Sequence, residues 1–358
     1  MNPVRLMGVN NTFLSFGIHD KKAARTRGAM KKAAVTLILV AVVLLAVAVI
    51  AEAQQPTKVY RVGRLGGGIS ASTVAYDAIR RELRELGYVE SKNIVFEARY
   101  AEDKPERLRA LADELVRLKV DLIIAGGPND GVTAKKATRT IPIVFNDSSF
   151  DPVALGLVDS LSRPGGNVTG FYSMADVLTG KRLELLKESF PNLSRVAVLW
   201  IPKSQSSEPQ WTESQVAARQ LGLQIHSAGV GITGNHENAF KEAVKTGSTA
   251  LAVTRHRSFH TTNQKRIIEL AAKYRLPTIY YRKDFVEQGG LMSYGSDEAE
   301  PFKRVAVMID KILKGAKPAD LPVEQPKKFE FFINLNAAKQ IGLTIPQSVL
   351  YRADRVIK

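Results

Sequence analysis

The chain has 358 residues, room for two domains of ordinary size. It carries 51 lysines and arginines against 35 aspartates and glutamates, a formal charge of +16, and no cysteine. The missing cysteine excludes a disulfide framework, a thiolate metal centre, a cysteine nucleophile and the thiol through which a lipoprotein is anchored. The basic residues are spread over many predicted helices rather than run together, which reads as a solvated surface. No nucleic-acid partner is expected. At the N-terminus, Lys31 and Lys32 precede an uncharged apolar run, 33–51, which ends in Ala51-Glu52-Ala53. That is the order of a cleaved secretory signal peptide, 30–53. The competing reading is a retained anchor, because the run approaches the roughly 20 residues that span a bilayer. Residues 1–29, upstream of Met30, read as a start placed too early or as an extended basic leader. Without residues 1–53 the net charge falls to +11.

From residue 59 onward the periodicity alternates between strand and helix. Strands are expected at 59–65, 94–100, 121–125 and 141–145. Helices are expected at 72–86, 105–118 and 131–138, with Leu108, Leu111, Ala112, Leu115 and Leu118 spaced for one helical face. The stretch 141–172, IPIVFNDSSFDPVALGLVDSLSRPGGNVTGFY, organises the rest. It reads as a buried strand, a polar loop 146–151, a short apolar helix 152–161 led by Pro152, a Pro-Gly-Gly-Asn turn 163–167 and a crossing strand 168–172. A second series follows, with strands at 195–200, 223–228, 250–254, 278–281 and 291–294 and helices at 208–221, 237–246, 262–274 and 301–313. A strand 329–333 and a helix 336–341 close the chain. Such alternation implies a mostly parallel sheet covered on both faces.

Several long blocks carry a family resemblance: 141–172 itself, LRELGYVESKNIVFEARYAED (83–103), LADELVRLKVDLIIA (111–125), KRLELLKE (181–188), LSRVAVLW (193–200), GGLMSYG (289–295) and ILKGAKPADLPVEQPKKFEFFINLNAAKQIGLTIP (312–346). Together they resemble the substrate-binding proteins of ABC importers with a type 1 periplasmic-binding fold, in the branch that includes tryptophan- and tyrosine-binding members. The resemblance implies two doubly wound parallel-sheet lobes joined by a hinge. Lobe 1 would take residues 54–170 and lobe 2 residues 171–294. Residues 295–328 would return to lobe 1, and 329–358 would cross back. It also implies a monomeric periplasmic protein that hands an amino acid or other small carboxylate, aromatic ones included, to a separate permease and its ATPase.

In open parallel sheets, ligands bind outside the carboxyl ends of the strands. By that rule the cleft would be lined from lobe 1 by Gly67, Gly68, Ser70, Gly127, Asn129, Asp147 and Ser148. From lobe 2 it would be lined by Trp200, Ser206, Thr254, His256, Tyr281 and Arg282, with Tyr172 at the junction and Gly170 in the hinge. Backbone N–H groups of the glycine loop and the serine hydroxyls suit a ligand carboxylate. The loop matches neither dinucleotide nor P-loop spacing. Asp147 would accept from a ligand ammonium, or else stand solvated. Arg255-His256-Arg257, if turned inward, would suit an anion. Trp200, Tyr172, Tyr280 and Tyr281 would stack on a planar ligand, or else pack as core. His256 and His260 are four apart, but no carboxylate completes a metal site, so no metal and no cofactor are expected. The absence of a nucleophile elbow and of a Walker A motif points away from an enzyme and from a self-powered transporter. A tethered sensory ectodomain and an enzyme hidden in the cleft remain the alternative classes.

Cleavage after Ala53 would leave Gln54 as the first residue of the exported protein. N-terminal sequencing of a periplasmic fraction checks this, and a membrane-bound species retaining 33–53 would favour the tethered ectodomain.

Overall fold

Apolar residues recur at every second position in some segments and every third or fourth in others, and the chain folds accordingly. The computed structural model describes residues 58–68, 74–102, 104–148, 151–204, 206–231, 234–297 and 299–358, apart from the side chains of Pro128, Asp147 and Ser148. The leader and signal segments and Ser70 lie outside the described residues. The first lobe runs β1 (Tyr60–Gly66), α1 (Val74–Glu85), β2 (Ile94–Tyr100), α2 (Leu108–Arg117), β3 (Leu122–Ala125), α3 (Pro128–Ala137), β4 (Ile143–Ser148) and β5 (Val168–Tyr172). Its five strands stand in the order β2-β1-β3-β4-β5, every neighbouring pair parallel.

The second lobe runs α4 (Val177–Ser189), β6 (Arg195–Trp200), α5 (Glu208–Gln220), β7 (Gln224–Gly229), α6 (His236–Lys245), β8 (Ala250–Val253), α7 (Arg257–Thr261), α8 (Gln264–Lys273), β9 (Thr278–Tyr280), α9 (Lys283–Glu287) and β10 (Met292–Ser296). Helix α10 (Glu300–Leu313) then packs on α1, β4 and β5 of the first lobe. The chain comes back as β11 (Phe329–Asn334), α11 (Leu335–Gln340), α12 (Gln347–Leu350) and β12 (Arg355–Ile357). The second sheet has the order β12-β11-β10-β9-β8-β6-β7, and only β11 against β10 is antiparallel.

Both sheets are buried on both faces, and the side chains alternate between them. In β3, Leu122 and Ile124 join the core under α1 and α10, while Ile123 and Ala125 join the core under α2 and α3. In β6, Val196 and Val198 pack toward α4 and α5, and Ala197 and Leu199 toward α6 and α8. Each fully buried aliphatic side chain here contributes about 1.5–3 kcal/mol.

Four local expectations are corrected. Residues 152–161 form successive turns, not a helix, because Gly156 takes a left-handed φ of 65° and Leu157 and Val158 both donate to the Pro152 carbonyl. Strand β4 runs on through Asn146, whose polar side chain had suggested a loop. With its amide group turned toward β3, that residue donates to the carbonyls of Ala125 (2.8 Å) and Gly126 (3.0 Å). Helix α3 begins at Pro128, so Asn129 and Asp130 belong to its first turn. Helix α4 was not among the expected helices: it has no one-sided pattern, because Leu178, Arg182, Leu183, Leu185 and Leu186 are all buried around its circumference.

Strand β5 was expected to cross between lobes. It is instead the edge strand of the first sheet, and the crossing is made by residues 173–176. The return segment runs alongside it. Tyr172 N–H donates to the Glu324 carbonyl (2.9 Å), Glu324 N–H to the Gly170 carbonyl (2.9 Å), and the Thr169 hydroxyl to the Leu321 carbonyl (2.8 Å). Arg304 on α10 pairs with Glu300 (2.8 Å) and with Glu324, fixing that segment to the lobe. Gly170 sits inside this paired region, where an added Cβ would collide with the carbonyl oxygen and ring of Phe145.

The glycine therefore serves close packing, and a bulky variant there should not leave the lobe intact. Gly170→Val is expected to destabilise the protein by about 3 kcal/mol through overpacking. A lowered urea midpoint would show it; an unchanged midpoint would mean that β4 and β5 can separate at this point.

Candidate ligand-binding site

The strand order changes direction at β1, which stands between β2 and β3, and at β6, which stands between β7 and β8. Ligands of open parallel sheets bind at such switch points. The carboxyl ends of β1 and β3 carry Gly66-Gly67-Gly68 and Gly126-Gly127; those of β6 and β8 lead into Ile201–Ser207 and Thr254–Arg257. The two sides come together where Gly68 faces Arg257. A Cβ on Gly68 would stand 3.1 Å from Nη1 and 3.2 Å from Nη2 of that arginine.

Beneath the first-lobe glycines lies a buried ion pair that the sequence reading had not singled out. Asp130, 6% exposed, lies among the backbone N–H groups of Gly67, Gly127 and Gly126 and faces the Arg64 guanidinium. Burial pushes its carboxyl up to about 6, against the opposing pull of Arg64 and those N–H groups. Arg64, 8% exposed, donates to the Leu65 carbonyl (2.9 Å) and lies over the Tyr76 ring, 5.7 Å from its centroid. The glycines are needed here for room. A Cβ on Gly126 would run into the Arg64 guanidinium, and one on Gly67 would come within 3.0 Å of Asp130 Oδ1. The Gly67 backbone, expected to hold a ligand anion, thus already lies beside an internal carboxylate. A Pro-Asn-Asp sequence opening a helix was the available signal, since it places an aspartate in the first turn.

On the second-lobe side, Gln210 of α5 is fully buried and binds two loops together. Its Oε1 accepts from the Arg255 N–H (2.7 Å), and its Nε2 donates to the carbonyls of Arg255 (2.9 Å) and Ser206. Ser206 also shares a hydroxyl contact with Ser204 (3.0 Å). His256 caps α7 by accepting from the Ser258 N–H at Nδ1 (3.2 Å). His260 Nδ1 meets the Tyr281 hydroxyl (2.7 Å), which also donates to the His256 carbonyl (3.2 Å). Burial, reinforced by nearby arginines, pulls the two imidazoles down to about 4 and about 3, so both are neutral at pH 7. Among the described residues no cluster of three metal-ligating side chains occurs.

The structure therefore brings Gly67, Gly68 and Gly127 together on one side, and Ser206, Thr254 and His256 on the other. Asn129 is exposed in the first turn of α3. Asp147 and Ser148 are the last residues of β4. Other expected residues are engaged elsewhere. Trp200 stacks on Trp211 of α5, centroids 5.1 Å apart, and donates from its indole N–H to Ser227 (2.8 Å). Tyr172 is buried in the first-lobe core with its hydroxyl on Asp176 (2.7 Å). Tyr281 is 2% exposed, Thr254 donates to the Leu199 carbonyl (3.0 Å), and Arg282 pairs with Asp284 (3.0 Å). The stacking roles proposed for Trp200, Tyr172 and Tyr281 thus give way to core packing. At the first residue of α1, beyond the glycine loop, Val74 stands 74% exposed.

Two doubly wound lobes, tied by side-by-side connections and facing each other across their switch points, are the type 1 periplasmic-binding architecture. The family model for ABC transporter substrate binding proteins matches residues 70–357, and the chain belongs to that family. A curated relative, the tyrosine-binding protein of Clostridioides difficile, is 24% identical over 263 residues, covering 74% of this chain and 75% of that one. An ABC domain from Streptococcus pneumoniae in complex with L-Trp is 26% identical, with a TM-score of 0.71, covering 84% of this chain and 100% of that one. The ligand-free, open structure of a substrate binding protein with adhesive properties from Clostridium difficile is 25% identical, with a TM-score of 0.61 over 84% of this chain and 99% of that one.

The ion pair under the glycine loops makes a direct prediction. Asp130→Ala leaves Arg64 buried without its counter-charge and should destabilise the protein by about 3–5 kcal/mol. The double variant Arg64→Met, Asp130→Leu should recover most of that in urea unfolding. Equal losses in both would mean that the setting of the Asp130 carboxylate among the glycine N–H groups, not the charge pairing, dominates.

Proposed function

We propose that the protein is an extracytoplasmic receptor that captures an amino acid, aromatic ones foremost, and delivers it to an ABC permease and its ATPase. The observation that carries this reading is family membership together with a switch-point cleft whose second-lobe side presents an arginine to glycine backbone. The tyrosine named for one relative and the L-Trp bound to another support the aromatic class. The cationic groups at the cleft support a ligand that carries a carboxylate. The protein acts as a monomer in the periplasm after signal cleavage, and it binds without turning its ligand over.

Capture would proceed by docking on one lobe, followed by rotation of the other about residues 173–176 and 325–328, a hinge closure. Contacts available only when both lobes touch the ligand would shift the population toward the closed form that the permease reads.

At about 100 times Kd a ligand stabilises the native state by roughly 2.7 kcal/mol. In a thermal-shift screen, tryptophan, tyrosine or phenylalanine should raise the melting temperature by several degrees. If only sugars or phosphates do so, the ligand class is wrong.

A further inference from the structure

The positive charges around the cleft do not all have internal partners. Arg64 faces Asp130, Arg282 pairs with Asp284, and Arg255 is likewise engaged. Arg257 differs: its side chain is exposed, and among the described residues no carboxylate pairs with it. It opens α7, and the first turn of a helix is an unfavourable place for a cation. An unpaired cation there is not accounted for by stability. What Arg257 faces instead is the other lobe. Both Nη atoms lie within 3.2 Å of the position that a Gly68 Cβ would occupy, so the open end of the guanidinium fork points at backbone that carries no side chain.

A guanidinium fork matches a carboxylate bidentately; here the fork lies directly against the Gly68 backbone, so a carboxylate enters between them when the lobes part. We infer that Arg257 is the second-lobe anchor for the ligand carboxylate, holding it against the Gly68 segment of the first lobe. This rests on the proposed amino-acid ligand and adds the residue that recognises its acid group. Because the acid would be held between one residue of each lobe, the contact would form fully only on closure. Arg257 would then couple recognition to the lobe rotation. The charge balance agrees: Arg64 and Asp130 cancel beneath the glycines, which leaves the Arg257 charge for an anion.

Titration calorimetry with L-tryptophan, L-tyrosine and their carboxylate-free amines, tryptamine and tyramine, tests the inference on the wild type and on Arg257→Gln. The wild type should bind the amino acids about 10–100-fold more tightly than the amines, the range for a hydrogen bond to a charged group. Arg257→Gln should lose that advantage and bind the amines as the wild type does. Arg257→Lys should recover only part, since it keeps the charge without the fork. The side chain is exposed, so circular dichroism should report unchanged folding. Unaltered amino-acid affinity in Arg257→Gln would overturn the anchor, as would an equal loss for the amines. A wild type that ignores both amino acids but binds phenylpropionate would refute the amino-acid ligand alone. The anchor would then stand only if Arg257→Gln lost phenylpropionate by a similar factor. A wild type that binds none of these carboxylates overturns both readings.

Discussion

A parallel sheet delivers its loops to a ligand along one edge only, and the opening lies where the strand order changes direction. Both sheets of this protein obey that constraint at the first strand of their series, β1 and β6. What those strands carry at their carboxyl ends decides what the cleft can do. On the first lobe it is backbone, exposed by runs of glycine; on the second it is a set of loops held by Gln210 and rich in arginine and histidine.

A glycine-lined floor has a physical difficulty, because loops without side chains have little to hold them in place. Asp130 answers it by gathering the N–H groups of Gly67, Gly126 and Gly127 around one buried carboxylate, with Arg64 as counter-charge. A buried ion pair is weak evidence of net stability, since desolvation offsets much of the attraction. Its effect here is positional: it fixes two loops from different strands against each other.

The same economy of parts appears in the junction between lobes. Residues leaving β5 and residues returning after α10 share hydrogen bonds, and Arg304 ties the returning segment back to the helix that precedes it. The paired part is rigid, as the closeness of Gly170 to Phe145 requires.

The sequence by itself determined the two α/β lobes, most strand and helix positions, and the residues at the strand ends, because each depends on local periodicity and on chain order. Recognisable blocks then pointed to the family. It could not determine which side chains at those ends remain available. Trp200, Tyr172 and Tyr281 stood in the right loops, yet the tertiary structure turned them to Trp211, Asp176 and His260. Asp130 had read as an ordinary loop residue and Gln210 as an ordinary helix residue until folding buried them among loops distant in sequence. Even Gly170 changed its meaning, from a flexible joint to a residue made small by a neighbouring strand. The physical reason is common to all six. A side chain's role depends on what lies within a few ångströms of it, and those neighbours came from strands and helices that meet only when the sheets assemble.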